Sequence, residues 1–124
     1  MSFSNDIKKF SKKTGMRLEE ASRGLKIKLF TGVIVYTRVD TGRLRGNWQT
    51  STGQPKYAVI DRNDKIVKGA TGGYAYEEVF RNIQAFSVDY LTNNLPYASV
   101  WEERDGMISK TVQRINGNLK KAIA

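Results

Sequence analysis

The 124-residue chain contains neither cysteine nor histidine. Without cysteine there is no disulfide, no thiol nucleophile and no thiolate metal site. Without histidine it lacks the commonest general base and the commonest zinc ligand, so Ser–His–Asp and Cys–His catalysis are excluded. Only two prolines are present, Pro55 and Pro96. The longest mostly apolar run, residues 29–36, falls far short of the roughly 20 residues a membrane-spanning helix needs. Lys8 and Lys9 are not followed by an apolar stretch, so no secretory leader is expected and a cytoplasmic site of synthesis is the default. Any enzyme here would run on carboxylates, Lys, Tyr or hydroxyls, which narrows the field, and no cofactor or metal is expected.

What remains has the balance of one folded domain spanning residues 1–124, with 40% hydrophobic and 27% charged residues. The net charge of +9 is unevenly spread. Residues 1–28 carry eight basic and three acidic side chains, and residues 105–124 carry four and one. Such basic ends suit a polyanion or an acidic partner, or merely solvated helix faces.

Residues 3–36 have a helical period, with Phe3, Ile7, Phe10, Thr14, Leu18, Ala21, Leu25, Leu29, Gly32 and Tyr36 on one stripe. Gly15 and Gly24 weaken that helix by roughly 1 kcal/mol each relative to Ala, and a break with a fold-back at Gly24 or Gly32 is the alternative. Ile27, Phe30 and Ile34 lie opposite the stripe. An unbroken helix would run about 50 Å, against a radius of gyration of about 14 Å for a domain this size. Ile27, Phe30 and Ile34 are therefore expected to be covered by another copy of the chain.

Downstream, Asp40 can cap a short turn by accepting the N–H of Gly42 or Arg43. Leu44, Gly46, Trp48 and Thr50 then alternate with polar residues as a strand. Residues 57–70 read as a hairpin turning at Asp61-Arg62-Asn63-Asp64. Residues 74–85 suit a short helix with Tyr76, Val79, Phe80 and Ile83 inward, and residues 86–93 suit a strand. Pro96 is expected at the first position of a short helix over residues 97–103. A last helix carries Ile108, Val112, Ile115, Leu119 and Ala122 on one stripe. The fold class is α+β: a small antiparallel sheet packed against a long N-terminal helix and a C-terminal helix.

No chemical motif survives inspection. The Asp61–Asp64 tetrad lacks the further ligands and the glycine of a calcium loop. Gly69, Gly72 and Gly73 match no phosphate-loop pattern and read as a hinge. Glu77-Glu78 and Glu102-Glu103 are adjacent, hence about 100° apart on a helix, and make no acid–base pair. Trp48, Tyr90, Tyr97 and Trp101 can stack on bases but serve equally as core.

Two passages do form a pattern. Val39-Asp40-Thr41-Gly42-Arg43-Leu44-Arg45, followed by Asn47-Trp48, resembles the "(P)VDTGRLR-x-S/N-W" signature of the small neck and minor tail proteins of long-tailed bacteriophages. Tyr90-Leu91-Thr92-Asn93-Asn94-Leu95-Pro96-Tyr97-Ala98, then Glu102 or Glu103 and Gly106-Met107, resembles the same family's "N-N-x-P-Y-A…E…G-M" segment, without the longer glycine-containing loop that often follows the Glu. The resemblance implies a virion structural protein for tail completion or head–tail joining. It would form a homo-oligomeric ring, typically of six copies, in the neck or tail, assembled in the bacterial host cytoplasm. Its partners would be the head connector, the tail tube or tail terminator protein, and double-stranded DNA passing through the lumen without specific binding; no membrane is involved. Asp40, Thr41, Gly42, Trp48, Asn93, Asn94, Pro96 and Tyr97 would be scaffold, and Arg43 and Arg45 would pair with carboxylates of the same or a neighbouring chain. The basic faces would meet acidic neighbours. The rival readings are a tail terminator capping the tube and a small basic nucleic-acid-binding protein.

Overall fold

A computed structural model describes residues 3–124, with side chains from Ser4 onward. Its elements are α1 (Phe3–Thr14), α2 (Leu18–Val35), α3 (Arg43–Gly46), β1 (Trp48–Thr52), α4 (Tyr74–Asn82), β2 (Asp89–Asn93), α5 (Ala98–Asp105) and α6 (Met107–Ile123). β1 and β2 pair antiparallel, with Trp48 opposite Asn93 and Thr52 opposite Asp89. The fold is α+β, as the sequence pattern implies.

The long N-terminal helix does not exist as one rod. Gly15, at φ +72°, adopts the left-handed conformation that terminates a helix without a Cβ penalty. The chain turns there, and α1 folds back onto α2 and α6. The break thus falls at Gly15, while Gly24 and Gly32 stay helical inside α2. Gly32 instead admits a close approach of α6. A Cβ at Gly32 would stand 2.8 Å from the Thr111 methyl. That contact sets the rotation of α6, which buries Met107, Thr111 and Leu119 and leaves Ile108 and Val112 of the expected stripe exposed.

The core joins Ile27, Val33 and Ile34 of α2 to Leu44, Trp48, Ala75, Val79, Ile83, Leu95, Ala98 and Met107. Tyr76 packs at its edge, whereas Phe80, expected inward, is exposed beside it. Residues 43–46, expected to begin the strand, form the short α3, so β1 starts only at Trp48. Pro96 lies two residues before α5, outside its first turn, because Tyr97 is the N-cap.

No hairpin forms over residues 57–70. This stretch crosses the motif turn as an irregular belt, and its tetrad is an anchor rather than a turn. Arg62 Nε donates to the Gly46 carbonyl (2.6 Å), Nη2 to the Trp48 carbonyl (2.7 Å) and Nη1 to Glu78 Oε2 (2.6 Å). Asp64 is buried, and its carboxylate accepts the N–H groups of Tyr74 (2.8 Å) and Ala75 (2.9 Å), capping α4 from a distance. The belt lies so close that a Cβ on Gly46 would stand 2.1 Å from the Arg62 carbonyl oxygen.

Candidate assembly surface

The fold brings the two motif passages together. Asn93 Nδ2 donates to the Leu44 carbonyl (2.7 Å), and Asn94 Nδ2 reaches the carbonyls of Lys56 (2.9 Å) and Ala58 (3.1 Å). Trp48 is core, with Nε1 donating to Thr37 Oγ1 at 2.8 Å. Asn47 Oδ1 accepts from the Ile60 N–H (2.9 Å), holding the belt against the first passage. Thr41 makes the turn bond expected of Asp40: its Oγ1 accepts the Arg43 N–H at 3.2 Å, and Asp40 is exposed. Gly42, at φ +85°, is fixed by the belt, since a Cβ there would stand 2.5 Å from Asp64 backbone.

Arg38, Asp40, Thr41, Gly42, Arg43, Leu44, Tyr97 and Trp101 line an open cleft at this junction. Arg38 lies 3.6 Å above the Trp101 ring and makes a two-point ion pair with Asp105 at 2.6 and 2.9 Å. The hydrogen bond from Arg38 holds the Asp105 carboxyl below its ordinary range. Beneath the cleft, desolvation opposes ionisation of Glu78. The donors of Arg62 and Thr50 outweigh that, so its pKa is lowered.

Three residues expected on an intersubunit surface lie inside their own chain. Ile27 and Ile34 are enclosed in the core, Ile34 with 0% exposure. Leu44, Trp48, Leu95, Ala98, Met107 and the Ala75, Val79 and Ile83 side chains in and after α4 supply the cover that a second copy was expected to give. Phe30 is half-buried against the same core. Arg45 is also 0% exposed, with Nη2 donating to the carbonyls of Ala70 (2.8 Å) and Gly72 (3.0 Å). Its burial lowers its pKa, partly offset by Asp64. It ties down the glycine-rich segment from inside its own chain. Arg43 is exposed at the cleft rim. Asn93 and Asn94 are half-buried, while Pro96 and Tyr97 are exposed.

Apolar surface is instead left open elsewhere. Tyr57 (80% exposed), Val67 (78%), Phe86 (72%), Val88 and Tyr74 stand in solvent, on the belt and on the segments flanking α4 and β2. The sheet is open as well. Thr50 N–H donates to Glu78, and the Trp48 carbonyl accepts from Arg62, so these β1 groups point away from β2. Backbone groups alternate in direction along an antiparallel ladder. Their partners Leu91 and Asn93 therefore also turn theirs outward. Among the described residues no hydrogen bond meets the outward backbone of Leu91. The β1 edge is thus closed by side chains, while the outward backbone of Leu91 in the half-buried β2 has no such partner.

Sequence reasoning missed Arg62, Asp64 and Glu78 as the anchors of this arrangement. Their signal was a charged tetrad set between two apolar runs, which turn chemistry explains equally well. Among the described residues no three Asp or Glu side chains gather as a metal site, and no helix is long and apolar enough to cross a membrane. Comparison with protein-family models, with characterised proteins and with solved structures finds no match to this chain.

Proposed function

We propose that the chain is a virion structural protein: a ring-forming adaptor that completes the tail of a long-tailed bacteriophage and joins it to the head connector. One observation carries the reading. The two passages that resemble the neck-protein signatures are locked to each other by the Trp48–Asn93 strand pairing and the Asn93–Leu44 hydrogen bond, while Asn94 holds the belt, whose Tyr57 and Val59 stay exposed. Such a surface suits assembly rather than catalysis.

The two open features complement each other. Residues 57–60 belong to no helix or strand, expose Tyr57 and Val59, and have no strand partner in their own chain. The β2 edge of a second copy offers the ladder they lack. Joining unlike surfaces head to tail closes a ring when the rotation permits, and six copies is the number the resemblance implies. DNA would pass through the lumen, with the connector above and the tail tube or its terminator below.

The test is sedimentation and native mass spectrometry of the wild type against Tyr57→Lys/Val59→Lys. The belt positions are solvated in the monomer, so the variant keeps its circular dichroism. Concentration-dependent ring formation lost in the variant supports the reading. A wild type that never associates, alone or with purified connector, contradicts it.

A further inference from the structure

The two basic ends of the sequence meet in space. α1 packs along α6, with Ile7 and Phe10 facing Ile115, Leu119 and Ala122 across an apolar gap. Lys13 Nζ donates to the Ala124 carbonyl at 2.6 Å, which sets the C-terminal ends of both helices side by side. Lys12, Lys120 and Lys121, all exposed, adjoin that contact in sequence, and Lys8, also exposed, lies one turn before Lys12 on α1. The only acidic residue of either helix, Asp6, is buried.

What surrounds these lysines identifies the partner. Residues 4–14 and 113–124 expose no large apolar side chain. Protein-binding patches are built the other way, with aromatic and apolar anchors at the centre and lysine depleted. Phosphate-backbone contacts use Lys and Arg together with small polar donors. Gln113 and Asn118 are such donors and are exposed on α6.

We infer that the joined α1–α6 face binds the phosphate backbone of duplex DNA, without reading its sequence. This departs from the expectation that the basic ends meet acidic neighbours. That expectation treated the ends separately, and the fold sets them side by side with no exposed acidic side chain on either helix among the described residues. The inference does not depend on the neck assignment: DNA binding and ring assembly use different surfaces and can fail independently. With no base-reading groups the affinity is in the non-specific range, with Kd on the order of 10⁻⁴–10⁻⁶ M at physiological salt.

The test is fluorescence anisotropy of the full chain with a labelled 20-bp duplex, at 50 and 200 mM salt. Four phosphate contacts predict a loss of roughly 100-fold across that range, the same for two unrelated sequences. Lys8→Glu/Lys12→Glu and Lys120→Glu/Lys121→Glu should each weaken binding at least about tenfold and flatten the salt slope. Lys65→Glu/Lys68→Glu, exposed on the belt, should leave both unchanged; circular dichroism checks that all three fold. No binding by the wild type, or full binding after either helix pair is reversed, overturns the proposal. Displacement by poly-glutamate as effective as by unlabelled duplex also overturns it, and assigns the face to an acidic protein.

Discussion

Replacing Arg62 by Met tests whether the belt is an anchor or a passenger. In the native chain the Arg62 guanidinium supplies three hydrogen bonds, to the Gly46 and Trp48 carbonyls and to Glu78. Met keeps the aliphatic stem and removes all three. Glu78 then remains mostly buried with its charge facing no cation, a change that costs about 3–5 kcal/mol for a buried pair broken on one side. Against a total stability of about 5–15 kcal/mol, that is a large fraction. Glu78→Gln keeps an oxygen for the Thr50 N–H and hydroxyl and should cost less, about 1–2 kcal/mol. The double variant should be less destabilised than the sum of the two, because the stranded charge is gone. Urea denaturation gives all three values. The pH dependence has a definite sign. The folded-state pKa of Glu78 is lowered, so its contribution is complete above the ordinary glutamate range and is lost as pH falls through the folded value. The stability gap between wild type and Glu78→Gln should therefore shrink on acidification. An Arg62→Met variant within about 0.5 kcal/mol of wild type, or strict additivity in the cycle, would refute the anchor.

Gly15→Ala should lower stability by about 1–2 kcal/mol in thermal unfolding, although its Cβ would meet nothing, because the cost lies in the left-handed backbone alone. Asp64→Asn should weaken the remote cap of α4, and hydrogen exchange should show the loss first at the Tyr74 and Ala75 amides while α6 stays protected. Equal acceleration throughout the chain would mean that Asp64 supports the global fold rather than the start of one helix. Gly46→Ala should be more damaging than Gly24→Ala, since only the former drives a Cβ into belt backbone; equal melting temperatures would contradict the close crossing.

Much of the architecture was legible because its cause is local. That α2 and α4 are helices and residues 89–93 a strand follows from each segment alone, but not the face each buries: α2 buries Ile27, Val33 and Ile34, Phe80 of α4 is exposed, β2 is half-buried throughout, and Phe86 and Val88, expected in the strand, precede it in solvent. The errors share a different origin. The helical stripe runs in phase from Phe10 through Thr14 to Leu18, so periodicity gave no sign that Gly15 would take φ +72°. Ile27 and Ile34 looked exposed only because a straight rod leaves no element to cover them. The cover comes from distant sequence: Leu44, Trp48, Ala75, Val79, Ile83, Leu95, Ala98 and Met107 pack on that side of α2. The Asp61–Asp64 tetrad has the composition of a turn, and nothing local says that Glu78, sixteen residues on from Arg62, would receive it. The motif passages were visible as strings, but their mutual contact through Asn93 and Leu44 is a property of the sheet register.

The claim that this protein joins heads to tails is tested most directly by electron microscopy of particles made by a phage that encodes the chain but has been deprived of it. The account predicts filled heads and finished tails lying apart, with joining restored by adding the purified wild-type protein and not Tyr57→Lys/Val59→Lys. Intact tailed particles formed without the protein would contradict it.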